Sequence, residues 1–140
     1  MPDNVARSFI LKDRIRVWYV AVQGHQDMEG AMDRLQDFKR FVATDGIWGV
    51  ILDMRLLDSF PDPANWSLFA QGVRLTLPAG LRWACIRGAH PAGPVDVMVQ
   101  AGRDAGARVQ VFDSWVEAVD FVGLSQLHPD PLDDSVLLLD

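Results

Sequence analysis

Residues 50–63, VILDMRLLDSFPDP, carry a β-branched and aliphatic run into an aspartate, an arginine and a lone serine, and end on two prolines. The apolar run at 47–53, IWGVILD, has the character of a short central strand buried on both faces, which is the signature of a parallel sheet. Pro61 and Pro63 lack the amide hydrogen a ladder needs and forbid the sheet to continue. A buried parallel strand must be approached and left by crossover segments, and both flanks supply helical patterns. Upstream, Met28, Ala31, Met32, Leu35, Phe38, Phe41 and Val42 recur at helical spacing, predicting an amphipathic helix over 27–44 that Asp27 can cap and Asp45-Gly46 ends. Downstream, Trp66, Phe69, Ala70, Val73 and Leu77 mark a second helix over 63–78, stopped by Pro78 and Gly80.

Working outward, residues 8–11 (SFIL) and 15–23 (IRVWYVAVQ) are strand-like and separated only by a short polar KDR, which predicts an opening antiparallel hairpin. RWACIRG at 82–88 reads as another buried strand. HPAGP then offers a proline for a helix's first turn, and Val95, Met98, Val99, Ala101 and Ala105 pack a third helix ended by Gly106. RVQVF at 108–112 is a final strand, and Ser114 with Glu117 forms a capping box for a last helix over 115–122. The expected order is ββαβαβαβα: an α/β domain over 1–123 with a mixed, mostly parallel β-sheet and flanking helices. Residues 124–140, LSQLHPDPLDDSVLLLD, form an acidic and apolar extension, either disordered or packed across the domain, with packing on its own domain the first expectation; Val136 to Leu139 can alternatively add a strand to an edge or meet a second subunit.

At 140 residues and 49% apolar content, one core without metal or disulfide staples is sufficient. The formal charge is −6, and the only lysines are Lys12 and Lys39. Such a surface repels a phosphate backbone, so no nucleic-acid partner is expected. The single cysteine, Cys85, excludes an internal disulfide and a multi-thiolate zinc site. No run of about 18 apolar residues appears, and the N-terminus lacks the apolar core of a leader, so the expectation is a cytoplasmic protein with no integral membrane segment.

Asp53 ends a central strand, where α/β sheets usually place their chemistry. VILDMRLLD invites comparison with the phosphoacceptor strand of response-regulator receiver domains. Such a site needs a second acidic pair and a lysine after the last strand, whereas the early strand here ends VAVQGHQ and no lysine follows Lys39. The order of a strand pair ending in Gly24, a long helix, VILDMRLLD and finally RVQVFDSWVEAVDFV resembles instead the STAS fold of anti-anti-sigma factors and their SpoIIAA-like relatives, over roughly residues 8–123. In the regulatory branch of that family an aspartate-serine pair after the central strand is phosphorylated on serine by a partner kinase, and Asp58-Ser59 resembles that pair; read locally, Ser59 is instead a turn residue and Asp58 a cap, and that reading comes first. The family continues with small residues and a glycine; this chain continues Phe60-Pro61-Asp62-Pro63, a departure toward the SpoIIAA-like branch, which is similar in outline to lipid-binding Sec14 domains. The resemblance implies a non-enzymatic regulatory or binding module with no cofactor. Its partner would be a protein or a small apolar ligand, met by a recognition loop over 53–66 that includes Asp53, Arg55, Asp58, Phe60 and Trp66. Phe60, Trp66, Phe69 and Leu77 would border an apolar pocket, or simply complete the core.

The competing reading is a small metal-dependent enzyme or binder. His25 follows the second strand, His90 the fourth, and His128 sits in the extension; two imidazoles with Asp53 or Asp27 make a conceivable ligand set, with Arg55 nearby. Ser59 lacks a glycine-flanked elbow, Cys85 lies mid-strand where a thiol is inert, and Arg82 and Arg87 flank that strand as solubilising charges or as an anion site. Five tryptophans and the apolar tail also admit a homodimer.

Overall fold

In the computed structural model, which describes residues 5–12, 15–25, 28–59, 72, 80–88, 93–124 and 128–132, the opening hairpin forms as expected. Strand β1 (Val5–Lys12) pairs antiparallel with β2 (Arg16–His25). Every later neighbour is parallel: β3 (Gly49–Ser59) on β2, β4 (Arg82–Ile86) on β3, and β5 (Arg108–Phe112) on β4. Helix α1 (Met28–Asp45) joins β2 to β3, α2 (Gly93–Asp104) joins β4 to β5, and α3 (Trp115–Val122) follows the last strand. The mixed α/β sheet read from the sequence is thus present. The helix expected over 63–78 lies outside the described residues except for Gly72, which is helical and close against Met32 and Leu35 of α1.

The strands lie in the sheet in the order β1-β2-β3-β4-β5, the same as in the chain. Each parallel crossover therefore advances one strand in one direction, and right-handed connections put α1 and α2 on the same face. Trp18, Val20 and Val22 of β2 meet Ala31, Leu35 and Phe38 of α1 and Met98, Val99 and Ala101 of α2 in that layer. Trp18 stacks on Phe38 at 5.8 Å and tilts against Phe41 at 5.4 Å. The alternate residues Val17, Tyr19 and Ala21 face the other way, toward Trp115, Ala118, Val119 and Val122 of α3. Both faces of β2 are covered, which is why its sequence shows no apolar-polar alternation.

The last helix matches its expected bounds because its ends are locally encoded. Ser114 Oγ accepts the Glu117 backbone N–H at 3.3 Å and donates to the Glu117 carboxylate at 2.9 Å, while Gly123 adopts φ 87° and donates its N–H to Asp120 O. Eight residues of helix span only about 12 Å, whereas five strands are about 19 Å across. The returning chain covers a further part of this face: Trp115 Nε1 donates to the His128 carbonyl at 2.7 Å, Pro131 is buried, and Leu132 packs against the same cluster.

Strand β3 departs from expectation. It runs eleven residues, through Ser59, where the sequence predicted a strand ending at Asp53 and a loop thereafter. Against β2 its register slips twice: Ala21 faces Asp53 but Gln23 faces Leu56, and Gly24 faces Leu57 but His25 faces Ser59. Each slip inserts one extra residue into β3, a β-bulge. Met54 packs on the α1/α2 side, Leu56 on the α3 side and Leu57 on the α1/α2 side again, so the two-residue alternation breaks at Arg55. A strand with a broken period reads as irregular in sequence. No helix among the described residues is long and apolar enough to cross a membrane.

Candidate functional site

The bulged end of β3 carries a charge network that the α3 face encloses. Asp53 is 1% exposed, and its carboxylate meets four donors. Oδ2 accepts from the Tyr19 hydroxyl and from Arg55 Nη2, both at 2.7 Å; Oδ1 accepts from Arg55 Nε at 2.9 Å and from the Arg55 backbone N–H at 3.1 Å. Four donors match the four lone-pair sites of an ionised carboxyl group. Tyr19 reaches Asp53 from β2 because both lie on the α3 face, one diagonal step apart in the ladder. Arg55 reaches it from two residues along its own strand at the bulge, where a side chain is re-aimed.

The other edge of the guanidinium holds the returning chain. Arg55 Nη1 donates to Asp130 Oδ2 and Nη2 to Asp130 Oδ1, each at 2.7 Å, a fork-to-fork pair. Asp130 Oδ1 also accepts the Leu132 backbone N–H at 3.0 Å, a local turn that fixes the carboxylate's aim. One cation thus lies between two carboxylates, with a tyrosine closing the inner end.

Burial, reinforced by the Asp53 charge, pushes the Tyr19 hydroxyl well above the usual tyrosine range, so it remains a neutral donor. Burial disfavours the Arg55 charge, but its hydrogen bonds to Asp130 and Asp53 outweigh that and hold the guanidinium above its ordinary value. The bonds from Arg55 hold the Asp130 carboxyl below the ordinary aspartate value against the opposing effect of burial, aided by the Leu132 N–H. With every lone pair engaged, Asp53 has none to offer a phosphoryl group, a metal or a substrate proton; the network is a clamp.

The structure therefore brings together Asp53 and Arg55 from the expected recognition loop, but on a strand. Asp58 and Ser59 close β3, and the Ser59 backbone pairs with His25 at the end of β2; their side chains, and His25's, lie outside what is described. Phe60, Trp66, Phe69, Leu77, Asp27 and His90 lie outside the described residues, as do 133–140. Among the described residues no three potential metal-ligating side chains converge. Cys85 is fully buried, and burial pushes its thiol up to about 12. Arg82 donates to the Phe121 carbonyl and Arg87 pairs with exposed Asp113. Sequence reasoning missed Tyr19 and Asp130. Tyr19 sits in an unbroken apolar run, though its parity with Val17 and Ala21 assigns it to the face Asp53 occupies; Asp130 lies 75 residues from its partner, with no local signal.

No known family profile matches the chain, and no curated protein matches it. Solved structures do. An anti-sigma factor antagonist from Mycobacterium paratuberculosis aligns with a TM-score of 0.56 at 16% identity, over 85% of this chain and 95% of that one. An uncharacterised protein of the DUF3478 family with a SpoIIAA-like fold, from Shewanella loihica, aligns with a TM-score of 0.50 at 17% identity, over 84% and 93%. At these identities the likeness is one of fold. In its fold, and in that alone, the chain is similar to these two structures: its five-stranded mixed sheet is SpoIIAA-like.

Proposed function

We propose that the protein is a non-enzymatic, cytoplasmic regulatory module that recognises a protein partner through the end of β3 and the residues after it, 58–66. The observation that carries this reading is the saturated Asp53 carboxylate: the acid that a reactive site at this sheet end would use is committed to Tyr19 and Arg55. Fold likeness to an anti-sigma factor antagonist, a protein named for acting on another protein's regulator, supports a protein as the partner. Phosphorylation of Ser59 is a further element: a phosphate there would bring about −2 charge to the rim of the recognition segment. A photo-crosslinking residue replacing Phe60 in the native cell should capture one protein that the same residue replacing exposed Asp104 on α2 does not. Identical adducts from both positions would sink the reading, and absence of phosphate on Ser59 across growth states would remove the switch.

A second reading, a small apolar ligand between the sheet and α1/α2, is favoured by one observation. The indole nitrogens of Trp18 and Trp83 are buried with no hydrogen-bond partner among the described residues, and the two tryptophans flank Val50 in register. Unpaired buried donors cost about 1–3 kcal/mol each, and a ligand oxygen would relieve them. Native mass spectrometry of freshly purified protein tests this: a single mass with nothing bound rejects it. Metal analysis of the same sample tests the metal-binder alternative, which with Asp53 committed to Tyr19 and Arg55 would have to rest on His25 and His90.

A further inference from the structure

Residues 128–132 are seated on the α3 face by the Arg55–Asp130 pair, by the Trp115 indole N–H on the His128 carbonyl, and by burial of Pro131 with Leu132 packed beside it. Each contact asks for a generic group: one carboxylate, one backbone carbonyl, one proline and one aliphatic side chain. None needs the segment to be continuous with α3. When Asp130 leaves, Arg55 keeps its bonds to Asp53, so release uncovers a neutral ion pair with one open guanidinium edge and not a bare buried charge. That open edge reads a carboxylate in the bidentate geometry Asp130 now occupies.

We propose that this face is a docking site for an extended segment of a partner protein carrying a carboxylate followed by proline and an apolar residue, and that the chain's own residues 128–132 occupy it until displaced. The chain's charge of −6 opposes a strongly acidic partner at long range, so the fit is to a segment with one carboxylate at the Asp130 position. The site is distinct from residues 58–66 and does not rest on their reading.

The test uses the full chain with the tryptophan indoles labelled for NMR. In Asp130→Lys an ammonium replaces the carboxylate against Arg55 and expels the strap, so exchange of the Trp115 indole proton should rise by about tenfold or more while far-ultraviolet circular dichroism stays that of the parent. Adding the capped peptide LHPDPL, a copy of residues 127–132, should restore protection; LHPNPL should bind about tenfold more weakly, equivalent to about 1.4 kcal/mol. Should Asp130→Lys fail to fold, Asp130→Asn gives the same readout with a smaller rise. Unchanged Trp115 exchange in a folded variant overturns the proposal, as does a peptide that restores nothing. A parent protein of doubled mass in solution, reduced to monomer by Asp130→Lys, overturns it in favour of strap exchange between two copies.

Discussion

Replacing Arg55 with methionine is the severest test of the clamp. Methionine keeps the aliphatic bulk and the backbone N–H to Asp53 Oδ1, but removes both side-chain bonds to Asp53 and both to Asp130. Asp53, 1% exposed, is then a buried carboxylate left with Tyr19 and one amide. Stranding one member of a buried ion pair costs about 3–5 kcal/mol. The two carboxylates now confront each other: Asp53 Oδ2 and Asp130 Oδ1 each lie 2.7 Å from the same guanidinium nitrogen, hence within about 5.4 Å of one another. At an effective dielectric near 20 that repulsion is worth about 3 kcal/mol, which the chain relieves by letting residues 128–132 lift into water. The net expectation is a loss of about 4 kcal/mol together with release of the strap. For a chain this long, about 0.3 kcal/mol/K of unfolding entropy turns that into a fall in Tm of about 10–15 °C. Urea unfolding followed by tryptophan fluorescence measures the loss, since Trp18, Trp83 and Trp115 are buried. Adding Asp130→Asn to Arg55→Met should cost little more, because the first change already frees the strap; the coupling between the two sites should be about 1–2 kcal/mol. If Arg55→Met lies within 1 kcal/mol of the parent, the buried carboxylate does not depend on its arginine and the clamp has no energetic meaning.

Three further outcomes follow from the same structure. Asp130 has its folded pKa depressed below the ordinary 3.8, so its contribution is fully present above that value and is lost as pH falls through the lower folded one; the stability gap between parent and Asp130→Asn should narrow below about pH 3.8 in acid titrations. Cys85, raised to about 12 from 9.0, disfavours its thiolate only in the folded state, so stability should fall by about 1.4 kcal/mol per pH unit above 9, and a thiol reagent at neutral pH should label it only as fast as the chain unfolds. Gly102→Ala should destabilise by about 1–3 kcal/mol in denaturant titrations despite alanine's better helix propensity, because its Cβ would sit 2.6 Å from Val109 Cγ2 and 3.0 Å from the Trp83 ring; an unchanged midpoint would mean that α2 can slide on the sheet.

Elements with local signals are legible in the sequence alone. The capping box at Ser114 and Glu117 fixed the last helix to the residue, and the apolar stripe of α1 placed that helix within one residue at each end. The mixed sheet followed from a hairpin too short for a crossover and from strands with no polar face. The end of β3 was not legible, because a bulge cancels the alternation that identifies a strand. The clamp was half legible: Asp53 and Arg55 are neighbours in sequence and stood out, whereas Tyr19 and Asp130 join them only through the ladder and the return of the chain. Long-range ion pairs leave no periodicity to read.

The identity of strand order and chain order bears on how the molecule is made. A sheet that adds each strand beside the preceding one can grow as the ribosome delivers the chain, with α1 and α2 laid over their face along the way. Among the described residues, no helix covers the opposite face before α3. Val17, Tyr19, Ala21, Ile51, Ala84 and Ile86 wait for α3 and for residues 128–132, the last described parts to be synthesised. A nascent chain arrested before Trp115 would hold a nearly finished sheet with one apolar side bare, and that intermediate, not the native fold, is where chaperone dependence and aggregation should concentrate.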